Sequence, residues 1–206
     1  MLDGSATLTI TPTQDLDRFN LDLRDFLAVS RVEVGGHRAG FARSGEQELI
    51  VTPRPKLHAG RTYAVEVDYA GVVEPVVDPD DSIEGFVPTS DGAFVVGEPQ
   101  GAPGWFPSND NPRDKATYDF AITVPAGNTA LANGVLLNSV TDGGNTTWRW
   151  RERSPMATYL ATATNGQFDL TTAVGPGGCR STTRSTAATR PPARSPWPRG
   201  WPSSRR

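Results

Sequence analysis

The sequence predicts an all-β protein, a saddle or sandwich of antiparallel sheets, followed by a disordered tail. Three observations carry this. Apolar and polar residues alternate with a period of two in several runs of five to seven residues, the pattern of a strand with one buried face. Clusters of Gly, Pro, Asn and Asp separate those runs, as turns between short strands require. No stretch of helical length shows an amphipathic period.

The strands are read in chain order. Ala6, Leu8 and Ile10 alternate with Thr7, Thr9 and Thr11; Phe19, Leu21 and Leu23 alternate with Asn20, Asp22 and Arg24. Val32 and Val34 lead into the turn signal Gly35-Gly36, and a further strand is expected over 48–52. Tyr63, Val65, Val67 and Tyr69 form the next alternating set, then Tyr118, Phe120, Ile122 and Val124. Runs over 147–152 and 158–164 complete the expected strands. Two segments break the pattern. Residues 72–93 read as a long acidic connection, and residues 97–114 as a second irregular stretch with four prolines and the adjacent aromatics Trp105 and Phe106. Loops this long are usually functional or disordered.

Charge divides the 206 residues unevenly. Residues 1–178 contain all 23 acids but only 13 of the 20 Lys and Arg, a net of −10; the last 28 residues contain seven arginines and no acid, a net of +7. That tail, 179–206, has five prolines and no apolar periodicity, so it is expected to bury no core. Basic arms of this kind can bind nucleic acid. Arg, Pro, Ser, Ala, Thr and Trp are also what a GC-rich gene yields when read out of frame. The second reading is favoured, because nothing in 1–178 suggests a nucleic-acid binder, and no nucleic-acid partner is expected.

Composition excludes several classes. Hydrophobic residues make up 36%, and no apolar run approaches the roughly 18–20 residues of a membrane span. No signal peptide is visible at Met1-Leu2-Asp3-Gly4, and cytoplasmic and secreted locations both stay open. A single cysteine, Cys179, rules out an internal disulfide or a cysteine-built zinc site. The two histidines, His37 and His58, lie in expected loops with no second ligand at metal spacing. Asp78, Asp80, Asp81 and Glu84 fit no calcium-loop template and read as a solvated acidic loop. His-Glu-x-x-His, Gly-x-Ser-x-Gly and phosphate-binding glycine motifs are all missing.

Residues 97–134 carry the strongest signal. Glu98-Pro99, Phe106-Pro107, Asp110, Pro112, Lys115-Ala116, Tyr118, Pro125 and Ala132-Asn133-Gly134 follow one another at defined spacing. Pro155-Met156-Ala157-Thr158-Tyr159-Leu160 and Gly166-Gln167-Phe168 come later, and Leu2-Asp3-Gly4 and Tyr69-Ala70-Gly71 earlier. This ordered set resembles the N-terminal domain of the zinc-dependent aminopeptidase N family, which includes the leukotriene hydrolases.

The resemblance implies a β-saddle over 1–178 lying against a catalytic domain. Its irregular loop would help bind the free α-amine of a peptide's N-terminal residue. Glu98 takes the family's anchor position and Gln100 is a weaker neighbour; Val96 stands where many members place a polar residue. A carboxylate suits an ammonium group because its hydrogen bonds are charge-assisted. Asp110, Pro112 and Lys115 are expected to hold the loop rather than touch substrate. The resemblance further implies zinc in the full-length family member, no catalytic or metal residue in this chain, and a chain truncated before the zinc-binding domain and starting after the family's first strand. By itself such a chain is expected to be inactive. The competing reading is a non-catalytic β-sandwich binding module, which predicts Trp105 and Phe106 exposed on one platform.

Overall fold

The computed structural model describes residues 1–77, 81–175 and 180–186. They form seventeen strands and two short 3₁₀ turns, in antiparallel sheets throughout. The first half builds one core. Strand β1 (Leu2–Ile10) pairs along its whole length with β7 (Tyr63–Gly71), and β7 pairs on its other side with β3 (Leu27–Val34), which carries the short β4 (His37–Arg38). A second sheet, β2 (Phe19–Asp22), β6 (Glu48–Thr52) and β5 (Gly40–Ser44), packs against it. The predicted alternation places Leu21, Val65, Val67 and Tyr69 inward, and they form one buried cluster with Val32, Val34, Leu49 and Val51.

The second half builds a smaller core. Strand β8 (Val76–Val77) pairs with β9 (Ile83–Pro88), β9 with β10 (Ala93–Val96), β10 with β15 (Ala163–Gly166), and β15 with β12 (Thr129–Ala132). A three-stranded sheet joins it, with β14 (Asn145–Met156) between β11 (Ala116–Pro125) and β13 (Val135–Asp142). Trp105, Phe86, Ala161 and Ala163 are its buried centre, with Tyr118, Phe120 and Ile122 of β11 packed on them.

Several expectations need correction. Residues 72–93 are not one long connection. They contain β9 and begin β10, and the reason alternation failed to show this is that Glu84, Gly85 and Phe86 are buried consecutively. Glu84 is therefore a buried strand residue and not part of a solvated acidic loop. The stretch 158–164 is a 3₁₀ turn (Thr158–Leu160) followed by the start of β15 rather than one strand. Arg180–Thr186, at the head of the expected tail, pairs as β17 with β16 (Phe168–Val174). Backbone pairing requires no apolar periodicity. Residues 187–206, Cys179, Asp78 and Asp80 lie outside the described residues.

Candidate functional site

The irregular segment after β10 is a tightly held turn on the surface of the smaller core. Val96 is the last residue of β10 to pair with β9, opposite Gly85. The chain then reverses: Gly101 N–H donates to the Gly97 carbonyl at 2.8 Å. Glu98, Pro99 and Gln100 form the turn's crest and are exposed, and the Glu98–Pro99 peptide is cis. Beneath the crest the chain comes into backbone contact on two sides. A methyl at Gly97 would collide with the Tyr159 carbonyl oxygen, and one at Gly101 would lie 2.8 Å from the Gly85 nitrogen. Only glycine permits such approaches.

Glu84 supports the turn from below. It is 0% exposed, and its Oε2 accepts the Gln100 backbone N–H at 2.9 Å. A carboxylate is costly to bury without such charge-assisted donors. Sequence reasoning missed Glu84 because an acid beside Asp81 and Ser82 reads as surface. The one available signal was the set of apolar residues Ile83, Phe86 and Val87 around Glu84, which show no period of two.

On the far side of the turn, a buried 3₁₀ turn at Ala102–Gly104 delivers Trp105 inward. Trp105 is only 8% exposed. Its ring stands edge-on to Phe86 and Phe106 at centroid distances of 6.0 and 4.5 Å, and stacks near Phe120 at 6.4 Å. These geometries are the favoured ones for aromatic pairs. Tyr69, from the larger core, donates its hydroxyl to the Trp105 carbonyl at 2.9 Å. Burial drives the Tyr69 phenol pKa upward. The aromatic platform required by a free-standing binding module is thus absent, since Trp105 is a core residue.

Asp110 holds the remainder of the segment, as expected. Its Oδ1 accepts from the Thr158 hydroxyl, and its backbone N–H donates to Asp22 Oδ2 at 2.8 Å. Asp22 and Ser108 exchange backbone hydrogen bonds of 2.7 and 3.1 Å. Burial raises the Asp110 carboxyl pKa, the Asp22 charge raises it further, and the Thr158 bond opposes both. Tyr118 is likewise shifted, to about 12, chiefly by burial and then by the Asp110 and Asp114 charges. Pro112 and Lys115 are exposed. Asn109 Nδ2 reaches Asp114 at 2.6 Å, and the Arg113 N–H reaches Asn111 Oδ1 at 3.0 Å, so the loop's polar residues largely satisfy one another.

Among the described residues, no group of three or more His, Cys, Asp or Glu side chains converges to hold a metal ion. His37 is exposed on β4, and His58 Nδ1 faces Asp15 Oδ2 at 3.2 Å. No described helix is long and apolar enough to cross a membrane.

Against this geometry, the model of the Peptidase M1 N-terminal domain matches residues 1–160. The chain belongs to the M1 peptidase N-terminal domain family. No curated protein matches it. Solved M1 enzymes do. The M1 zinc metallopeptidase from Deinococcus radiodurans superposes with a TM-score of 0.85 at 29% identity, over 96% of this chain and 46% of its own. A mutant of that enzyme bound to a Tyr-Ser-Ala substrate gives 0.82 at 30% identity, over 96% and 46%. A mutant two-domain M1 zinc metallopeptidase bound to L-arginine gives 0.81 at 29% identity, over 92% and 45%. This M1 domain therefore spans less than half the length of those relatives. The match ends at Leu160, so it takes in the Glu98 turn, Trp105 with its aromatic neighbours Phe86, Phe106 and Phe120, and the Thr158–Asp110 tie.

Proposed function

We propose that this M1 domain is the substrate-side part of a zinc aminopeptidase, removing residues from the N-terminus of peptides, and that Glu98 receives the substrate's free α-amine. The observation that carries the reading is an exposed carboxylate on a turn held by backbone contacts and a buried acid. An ammonium group needs an acceptor whose direction is set in advance, because ordering a mobile loop on binding would consume affinity. Gln100, on the same crest, offers a secondary polar contact to the substrate's first residues. Relatives with this fold are described as zinc metallopeptidases, two of them holding a peptide or an amino acid. The described residues lack the ligands for zinc, so the part derived for them is to bind and orient the amine. The full-length enzyme would supply zinc from its catalytic domain.

The test is a titration of the isotope-labelled chain with leucine amide and, separately, with N-acetyl-leucine amide. Leucine amide is expected to shift the resonances of 97–101 with millimolar affinity. Glu98→Ala should abolish that response while leaving the fold intact. Equal responses to the acetylated compound, or an unchanged response in Glu98→Ala, would refute the assignment.

A further inference from the structure

We propose that Glu84 is the positioning residue of the amine-binding turn, fixing through the Gln100 N–H the height and direction at which Glu98 leaves the sheet; this rests on the reading of Glu98 above. The backbone at Glu84 lies directly beneath the turn. Gly85, its neighbour, has φ +80° and pairs with Val96, the residue from which the turn departs. The same glycine lies against the returning chain at Gly101 and, at 3.5 Å, would touch a methyl placed on Gly104. The Glu84–Gly85 step is thus the floor on which 97–104 rests.

Reversal at Val96 turns the Gln100 N–H toward that floor. That N–H calls for an acceptor, and the floor's backbone is engaged by its strand neighbours, Glu84 opposite Val76 of β8 and Gly85 opposite Val96 of β10. A side chain supplies it. Glu84 does so from a fully buried position, with an N–H···O distance of 2.9 Å. The bond makes the geometry of the turn strict, since moving Gln100 away would leave a buried carboxylate without this donor. Glu98 lies two residues before Gln100, inside the loop closed by the Gly101–Gly97 bond. Its backbone cannot shift without breaking one bond or the other.

The experiment compares the complete chain with Glu84→Gln, which keeps an acceptor oxygen, and Glu84→Leu, which removes it. Amide hydrogen exchange is followed at Gln100 and Gly101, with Val67 in the larger core as reference, and leucine amide is titrated into each. Glu84→Leu should speed Gln100 exchange by about tenfold or more relative to Val67 and weaken leucine amide binding. Glu84→Gln should restore both toward wild type. Unchanged Gln100 exchange in Glu84→Leu, or equal acceleration of Gln100 and Val67 in both variants, overturns the proposal. If Glu84→Leu does not fold, the wild-type chain decides. A scalar coupling across the hydrogen bond from the Gln100 nitrogen to the Glu84 carboxyl carbon is expected, and its absence overturns the proposal. Should the coupling and the protection be present while leucine amide binds no better than its acetylated form, the reading of Glu98 fails and the hold of Glu84 on the turn stands.

Discussion

Asp110 shows how a single carboxyl can tie a loop at an electrostatic cost. It accepts a hydrogen bond from Thr158 yet sits half-buried beside Asp22, and the net effect is a raised pKa. A carboxyl that binds its proton more tightly when folded than when unfolded contributes most at low pH. That contribution is lost as pH rises from the unfolded value near 3.8 through the raised folded value. Asn at this position keeps an oxygen for Thr158 and removes the charge. The stability of Asp110→Asn relative to wild type is therefore expected to increase as pH rises from about 3 to 6.5, measured by thermal melts across that range. A difference that stays flat or shrinks with pH would contradict this account. Sequence matching singled out Asp110 as a loop-holding residue, and its partner Thr158 lies in a second matched motif. The pairing between them, 48 positions apart, was invisible because no local pattern encodes it.

At the scale of elements, the turn after β10 is set by close backbone packing. A β-carbon at Gly97 would meet the Tyr159 carbonyl, part of the 3₁₀ turn Thr158–Leu160. Gly97→Ala is expected to cost about 1–3 kcal/mol by overpacking and to perturb the resonances of both Glu98 and Tyr159. Denaturant unfolding and a chemical-shift map would check this. Wild-type stability with perturbation confined to Gly97 would show that the two turns are not packed together. The alternating strands of the first half were legible because each buries one face, giving apolar residues at every second position. Strands β9, β10 and β13 were not. Residues 84–86 are buried in succession, β10 is half-buried on both faces, and β13 is exposed along its length. A period of two appears only where the two faces of a strand meet different surroundings.

At the scale of the whole molecule, the described residues form two cores that share a seam. Leu2, Val73 and Phe106 pack against both, and the Tyr69 hydroxyl crosses from one core to the Trp105 carbonyl of the other. Tyr69→Phe removes that bond inside a buried seam. The expected loss is about 1–2 kcal/mol, with a single coincident transition by tryptophan fluorescence and far-ultraviolet dichroism. Two separate transitions in the wild-type chain would mean that the cores unfold independently. At the same scale, the 206-residue chain is expected to release no chromophore from aminoacyl-anilides, with or without added zinc. Chelator-sensitive turnover by purified chain would overturn that.

The sequence alone determined the all-β class, the strands with one buried face, the family resemblance and the choice of Glu98 as the residue to watch. Each of these is written in local order: a period of two, a turn signal, or motif residues at defined spacing. The tertiary structure decided that Trp105 is core rather than platform, that Glu84 is buried beneath the turn, and that Asp110 meets Thr158. Those facts depend on which distant segments lie against one another. A lone acid or tryptophan has the same local signature whether the fold buries it or leaves it in water.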